Sequence, residues 1–388
     1  MKKLVLIGGG HAHVEVLRQF GLRRLQDADV TLVSPDRHTP YSGMLPGLVA
    51  GHYTFAQCHI DLQPLAAYAG ARLVLATART LDAARRVLTL SDGSTQDYDV
   101  ASFNVGSVPI AQDVPGVAEH AIAVKPVADF LAAWEALIAR VRAGDVRSIA
   151  VVGGGAAGVE ILLAMHYHFA QLHPRPQLDY RLITDTAQLL PQHARGVRTV
   201  LERSLARKGI TLHRASRVTR VEVKALIVSS AGNGEQRMAA DAVVWVTGAA
   251  APGWLANSGL ALNDAKFINI NKHLQSSNHS SVFAVGDCAT VEGEVYPKSG
   301  VYAVRQGPVL AQNLRRALSG DGALLAYAPQ KRALALISSG ERHAIASWGP
   351  LSVHGNWVWR WKDNIDQAFM AKYQNVPAQD ASGRVQVF

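Results

Sequence analysis

The feature that most constrains this chain is an internal repeat. Residues 8–15 read Gly-Gly-Gly-His-Ala-His-Val-Glu and residues 153–160 read Gly-Gly-Gly-Ala-Ala-Gly-Val-Glu. Each copy follows a short aliphatic run, Leu4-Val5-Leu6-Ile7 in the first and Ile149-Ala150-Val151-Val152 in the second. Each opens a helical pattern, with Val14, Val16 and Leu17 in one and Val159, Ile161, Leu162 and Leu163 in the other. A further strand pattern follows in both places, Val30-Thr31-Leu32-Val33 and Tyr180-Arg181-Leu182-Ile183. Strand, glycine turn, helix and strand therefore occur twice, and such a repeat sets the architecture. The chemistry needs these glycines: the first makes the tight turn, the second lets the backbone approach a pyrophosphate, and the helix N-terminus offers free N–H groups to the phosphates. One Gly-x-Gly-x-x-Gly is weak evidence, whereas two in the right context predict two dinucleotide sites. The predicted cradles are Gly8, Gly9, Gly10, His11 and Ala12, and Gly153, Gly155, Ala156 and Gly158. His13 stands where the second copy has Gly158, and wider helix–strand packing explains it better than catalysis does.

A length of 388 residues suggests two domains or slightly more. Hydrophobic residues at 48% against 18% charged allow sizeable cores and exclude a disordered chain. The net charge of +9 fits nucleic acid, an anionic membrane surface or anionic substrates. The basic residues are scattered, with no basic tail, zinc-finger spacing or RNA-binding aromatic signature, so no nucleic-acid partner is expected. Only Cys58 and Cys288 are present, which excludes a disulfide scaffold, a Cys-x-x-Cys pair and a cysteine-rich metal site; no metal is expected, and a reducing, cytoplasmic setting fits. Leu4–Ile7 is too short for a signal peptide, and no eighteen-residue apolar run suggests a membrane span.

Other segments resemble the two-dinucleotide flavoproteins of the pyridine nucleotide–disulfide oxidoreductase superfamily, over residues 1–320 or so. Asp97-Tyr98-Asp99-Val100, leading to Asn104-Val105-Gly106-Ser107-Val108-Pro109, is similar to the strand and turn that close the first FAD segment. Asp241-Ala242-Val243-Val244-Trp245-Val246-Thr247-Gly248 is similar to the counterpart closing the NAD segment. Ser281-Val282-Phe283-Ala284-Val285-Gly286-Asp287-Cys288-Ala289 resembles the second FAD motif, whose aspartate, here Asp287, hydrogen-bonds the ribityl chain. The resemblance implies an α/β fold of two Rossmann-like domains, the NAD(P) domain inserted in a discontinuous FAD domain. Residues 1–120 and 256–325 would bind FAD and residues 121–255 NAD(P)H, with a small C-terminal α+β interface region at 326–388. Closer still, Thr39–Gly51 and Trp361–Met370 resemble the type II NADH dehydrogenase-like branch that often occurs fused to selenide, water dikinase. This chain is similar to a stand-alone member.

The resemblance carries site expectations. Asn104, Gly106, Gly286, Asp287 and Gly248 join the glycine loops in cofactor binding. Ser34, Asp36 and Arg37 are placed near the adenosine end of FAD. Asp185 favours NADH, while Arg195 and Arg198 would suit the 2′-phosphate of NADPH, so either donor stays open. Glu160 lies on the nicotinamide side of relatives, although a first-turn glutamate also simply complements a helix dipole. Where disulfide reductases carry redox cysteines, this chain has Tyr41-Ser42-Gly43-Met44-Leu45-Pro46, so direct transfer from flavin to a quinone-like acceptor is preferred. Tyr41, Ser42, Tyr302 and Gln306 are the acceptor-side candidates, and Val301 and Arg305 replace the glutamines of type II dehydrogenases. Lys298 reads equally as a cation for the reduced flavin or as a solvated surface lysine.

In the tail, Ala333–Ile337 and Ala344–Trp348 read as paired strands around a Ser338-Ser339-Gly340-Glu341 turn. Trp357, Trp359 and Trp361 alternate ahead of a short helix bearing Ile365, Phe369, Met370 and Tyr373. That stripe suits a domain or homodimer interface, or peripheral docking on the inner face of the membrane. Two rival functions remain: a sulfur- or selenium-compound oxidoreductase of the sulfide:quinone type, and a non-catalytic FAD-binding redox sensor.

Overall fold

The computed structural model describes residues 1–377 except 111–113, 231–233, 295 and 331. Four strands open the first unit: β1 (Lys2–Ile7), β2 (Ala28–Ser34), β3 (Ala71–Leu75) and β4 (Val100–Phe103). Five more follow: β5 (Ala121–Ala123), β6 (Ser148–Val152), β7 (Asp179–Ile183), β8 (Thr211–His213) and β9 (Ala242–Trp245). Next comes β10 (Val282–Ala284). The first sheet has the order β10-β4-β1-β2-β3 and the second β5-β9-β6-β7-β8, every pairing parallel. The first sheet is thus completed by a strand that follows the whole of the second.

Parallel strands covered on both faces read as continuous apolar runs. Leu4 to Ile7 and Ile149 to Val152 are accordingly buried throughout. Helix α1 (His11–Leu22) packs Val14, Val16, Leu17 and Phe20, all fully buried, into the core of the first sheet. Helices α2 (Val127–Arg142) and α3 (Ala156–Ala170) build the core of the second. Helix α4 (Gly300–Ser319) returns to pack on α1. The duplication extends beyond the motif. A three-stranded antiparallel meander, residues 78–97, precedes β4, and another, residues 216–239, precedes β9.

The tail forms an antiparallel sheet of β11 (Ala335–Ser338), β12 (Ala344–Trp348) and β13 (Leu351–Gly355), then helix α5 (Asn356–Gln374). The tryptophan stripe lies inside this long helix rather than ahead of a short one. Trp357, Trp361 and Ile365, four apart, are exposed, while Val358, Lys362, Asp366, Phe369, Met370 and Tyr373 are buried. Trp359 turns instead towards His52, 5.7 Å between ring centres. Five residues are too few to separate an alternating period from a helical one, which is why the sequence misleads there.

Candidate dinucleotide and electron-transfer site

Both glycine turns have the backbone that a cradle requires. Gly8 (φ 93°) and Gly153 (φ 131°) occupy the region closed to side chains, and a Cβ on Gly153 would lie 2.2 Å from the Val246 carbonyl oxygen. A Cβ on Gly155 or on Gly106 would meet nothing within 4 Å, so the backbone there faces open space that a ligand can fill. Helix α3 begins after Gly155 with no side-chain cap and no acidic residue in its first turn; Glu160, expected in that turn, is the fifth residue of the helix and lies beyond it. Its free N–H groups and positive end suit a pyrophosphate. These residues fit a dinucleotide.

Asn104, read from sequence as a cofactor contact, stitches the first cradle together. Its Oδ1 accepts from the backbone N–H of Ala12 (3.0 Å) and His13 (3.4 Å), and its Nδ2 donates to the Val285 carbonyl (3.2 Å). A Cβ on Gly10 or Gly286 would come within 2.4 and 2.5 Å of this amide, so the asparagine dictates both glycines.

His13 explains the asymmetry of the repeat. In the second loop a Cβ on Gly158 would lie 2.0 Å from the Gly153 carbonyl oxygen, which enforces glycine. In the first loop the equivalent contact is a hydrogen bond, from His13 Nδ1 to the Gly8 carbonyl at 2.7 Å. Nε2 pairs with Ser102 Oγ at 2.8 Å, the ring is fully buried, and burial pulls its pKa down to about 4. The residue is a neutral structural bridge.

At the ends of the second strands, Ser34 lies 3.1 Å from a Cβ built on Gly9, and Thr184 2.4 Å from one built on Gly154. Thr184 is therefore the counterpart of Ser34, and Asp185, the residue expected at the ribose, lies one position beyond it. Ser34 Oγ donates to the Asp36 carbonyl (2.9 Å). Arg37 is held by Asp61 at 2.9 and 2.6 Å, which keeps that carboxyl below its usual range. Asp185 is exposed, 3.9 Å from Arg217.

Asp287 is the hub of the first site. Its Oδ2 accepts from Lys125 Nζ (3.0 Å) and Ser107 Oγ (3.2 Å), and Lys125 also reaches Ser107 (3.0 Å). Lys125, which sequence reasoning did not select, follows β5 and so arrives from the second sheet. His11 senses both charges, but burial lowers its pKa; its Nε2 lies 3.3 Å from the Pro40 carbonyl oxygen and its ring meets Tyr41 edge-on. A Cβ on Gly300 would lie 3.3 Å from His11 Nδ1 and 3.4 Å from Ser42 Oγ. The first loop, the Tyr41-Ser42 turn and the start of α4 thus converge.

The other acceptor-side candidates, Tyr302 and Gln306, are buried side chains of α4. Tyr302 is buried and stacks on Tyr296, 4.8 Å between ring centres. Gln306 is fully buried, its Oε1 accepting the Gly286 N–H at 2.7 Å. Lys298 donates to the Ala289 carbonyl (2.5 Å) and Thr290 Oγ1 (2.8 Å) and lies over the Phe267 ring; burial lowers its pKa to about 8. It is neither a solvated surface lysine nor unattached.

The tail helix supplies what the sequence left unassigned. Lys362 Nζ donates to the Gly43 carbonyl (2.7 Å) and to Asp366 Oδ2 (2.5 Å), and Tyr53 Oη donates to Asp363 Oδ1 (2.7 Å). Glu160 Oε1 accepts the Ser338 N–H at 2.8 Å, and burial pushes this carboxyl up to about 7 against the opposing influence of Lys362. Both cysteines are free and buried, and burial pushes Cys58 up to about 12 and Cys288 up to about 11. Neither is a ready thiolate at neutral pH.

The family described as pyridine nucleotide-disulphide oxidoreductase matches residues 2–307. An NADH dehydrogenase-like protein of Bacillus subtilis is 22% identical, the match covering 83% of this chain and 85% of the relative. The type II NADH:quinone oxidoreductase of Staphylococcus aureus is 20% identical, covering 82% of this chain and 83% of its own. Among solved structures, the sulfide:quinone oxidoreductase of Aquifex aeolicus superposes with a TM-score of 0.80 at 19% identity, over 97% of this chain and 92% of that one. NDH2 of Plasmodium falciparum, in complex with NADH, gives 0.78 at 14% identity, over 97% and 99%. The chain belongs to the pyridine nucleotide-disulphide oxidoreductase family and is an FAD-dependent NAD(P)H oxidoreductase.

Proposed function

We propose that the first glycine cradle holds FAD, that the second holds the nicotinamide donor, and that electrons pass to a quinone-like acceptor without a redox disulfide. Residues 1–120 and 256–325 form the FAD unit on this reading, residues 121–255 the NAD(P)H unit and residues 326–388 a covering region. The observation that carries it is the approach of His11 to Ser42 and Gly300, with Asp287 and Lys125 close enough to act on the His11 charge, in a chain whose two cysteines are both buried. Bound FAD supplies the redox chemistry, taking hydride from the nicotinamide.

The chain's own residues bind and orient. Gly8 to Ala12 and Gly153 to Gly158 take the two pyrophosphates, with Gly106 and Gly248 in the turns that close each unit. Asp287, supported by Lys125 and Ser107, accepts hydrogen bonds from the polyol. Ser34 and Asp36 bind the adenosine ribose on this reading, and exposed Asp185 favours NADH. Glu160, whose burial favours the protonated carboxyl, supplies a proton as the acceptor is reduced. The names of the relatives in Bacillus and Staphylococcus support this acceptor class.

A thiol relay to a sulfur or selenium compound would use thiolates, and burial pushes both Cys58 and Cys288 towards the protonated form. No helix among the described residues is long and apolar enough to cross a membrane. The exposed Trp348, Leu351, Val353, Trp357, Trp361 and Ile365 support peripheral contact of the tail with a bilayer. Steady-state assay of the FAD-loaded protein with NADH and a soluble quinone, against disulfide and polysulfide, tests the acceptor. Turnover with quinone alone is expected, and turnover confined to a sulfur compound would overturn the reading.

A further inference from the structure

A cavity of about 380 Å³ opens where three parts of the chain meet. His52 comes from the loop after the short helix Leu45–Val49, Arg142 from the end of α2, Tyr167 and His168 from the end of α3, and Arg342 from the connection between β11 and β12. Junctions of this kind, and cavities of this size, are where small ligands bind. The lining contains two arginines and no carboxylate. Of the carboxylates around it, Glu135 acts on His168, Asp363 acts on His52 and is engaged by Tyr53, and Glu341, next to Arg342 in the chain, is paired with Lys208.

Arg142 lies in the last turn of α2, where a cation offsets the helix dipole in any case. Arg342 has no such role: it lies over the Trp359 ring, 5.5 Å from its centre, and arrives from a separate sheet. The connection that carries it is fixed against α3, because Gly340 (φ 86°) would place a Cβ 2.1 Å from the Leu163 carbonyl oxygen. His52 Nε2 donates to the Gly340 carbonyl at 2.9 Å, tying the third wall to the same turn. Two guanidinium forks brought together from different elements favour a tetrahedral or planar oxyanion. Tyr167 offers an apolar face for an attached organic group, and the volume exceeds what a bare oxyanion needs.

We propose that this cavity binds a phosphate-bearing small molecule, with the phosphate between Arg142 and Arg342, and that its occupancy fastens the C-terminal sheet to the helices of the second sheet. The site is separate from both glycine cradles, so the proposal stands apart from the choice of electron acceptor.

The probe is inorganic pyrophosphate, titrated by calorimetry into FAD-loaded protein saturated with NAD⁺ so that both cradles are filled. Saturable binding is expected, weakened about tenfold or more, or about 1.4 kcal/mol, in Arg142→Ala/Arg342→Ala. The Arg142→Lys/Arg342→Lys protein should retain part of the affinity, with an unchanged flavin spectrum reporting an intact fold. A second arm adds vesicles containing anionic phospholipid. Pyrophosphate that displaces vesicles from the wild type, but has no effect on the double alanine variant, identifies a lipid headgroup as the phosphate source. Pyrophosphate binding without such competition identifies a free metabolite-sized anion. Absence of saturable binding, or binding unchanged in the double alanine variant, would overturn the proposal.

Discussion

Lys362 in the last helix donates to the carbonyl oxygen of Gly43 at 2.7 Å, across 319 positions of sequence. That bond joins the two segments, 39–51 and 361–370, whose resemblance to one branch of the superfamily was read separately. The same ammonium neutralises Asp366, and both side chains are almost wholly buried. Removing one partner of a buried pair leaves an uncompensated charge, which costs about 3–5 kcal/mol. Lys362→Met should lower stability by about that amount in denaturant titration, whereas Lys362→Met/Asp366→Leu should regain most of it. Equal losses in the single and double variants would remove the pair from its bridging role.

His13 carries a pH signature. Its pKa falls from 6.5 to about 4 on folding, so the unfolded chain takes up the proton first. The stability it contributes is complete above pH 6.5 and is lost as pH falls towards 4. His13→Ala should cost about 1–3 kcal/mol by leaving the Gly8 carbonyl and Ser102 without partners, and should flatten that part of the pH–stability curve.

Glu160 has the opposite slope. Its carboxyl rises from 4.5 to about 7 on folding, so the folded chain binds the proton more tightly between these values. Its contribution is complete below pH 4.5 and declines as pH rises through about 7. Glu160→Gln should abolish this decline. In turnover with a soluble quinone, the same variant should lose an inflection near pH 7 that the wild type shows, a change that a purely structural role would not produce.

The Asp287–Lys125–Ser107 cluster predicts how flavin is retained. Asp287→Ala should weaken FAD binding about tenfold or more, or about 1.4 kcal/mol, read from flavin fluorescence on release. Lys125→Ala should weaken it less, and Lys125→Arg should recover most of the loss because the cation beside Asp287 is kept.

Much of this was legible in the residues. The glycine loops and the strands on either side of them follow from local pattern, because parallel strands and helix starts carry strong short-range signals, whereas the segment holding the late strand at 282–284 was legible only through its resemblance to the second FAD motif. What was not legible depends on contacts between distant segments. Lys125 shows no motif, and its meaning appears only when β5 brings it to Asp287. Gln306 and Tyr302 sit in a recognisable stretch, yet helical phase turns them inward. The tryptophans at 357–361 alternate in sequence, and helical spacing puts 357 and 361 on one face with 359 on another.

Electrons enter the protein on the path from nicotinamide to flavin. Anaerobic addition of NADH to the FAD-loaded protein, followed at the flavin absorbance in a stopped-flow instrument, tests it most directly. Rapid bleaching is expected, with full recovery when a soluble quinone is added. A purified protein that binds no flavin, or bound flavin that neither NADH nor NADPH bleaches, would contradict it.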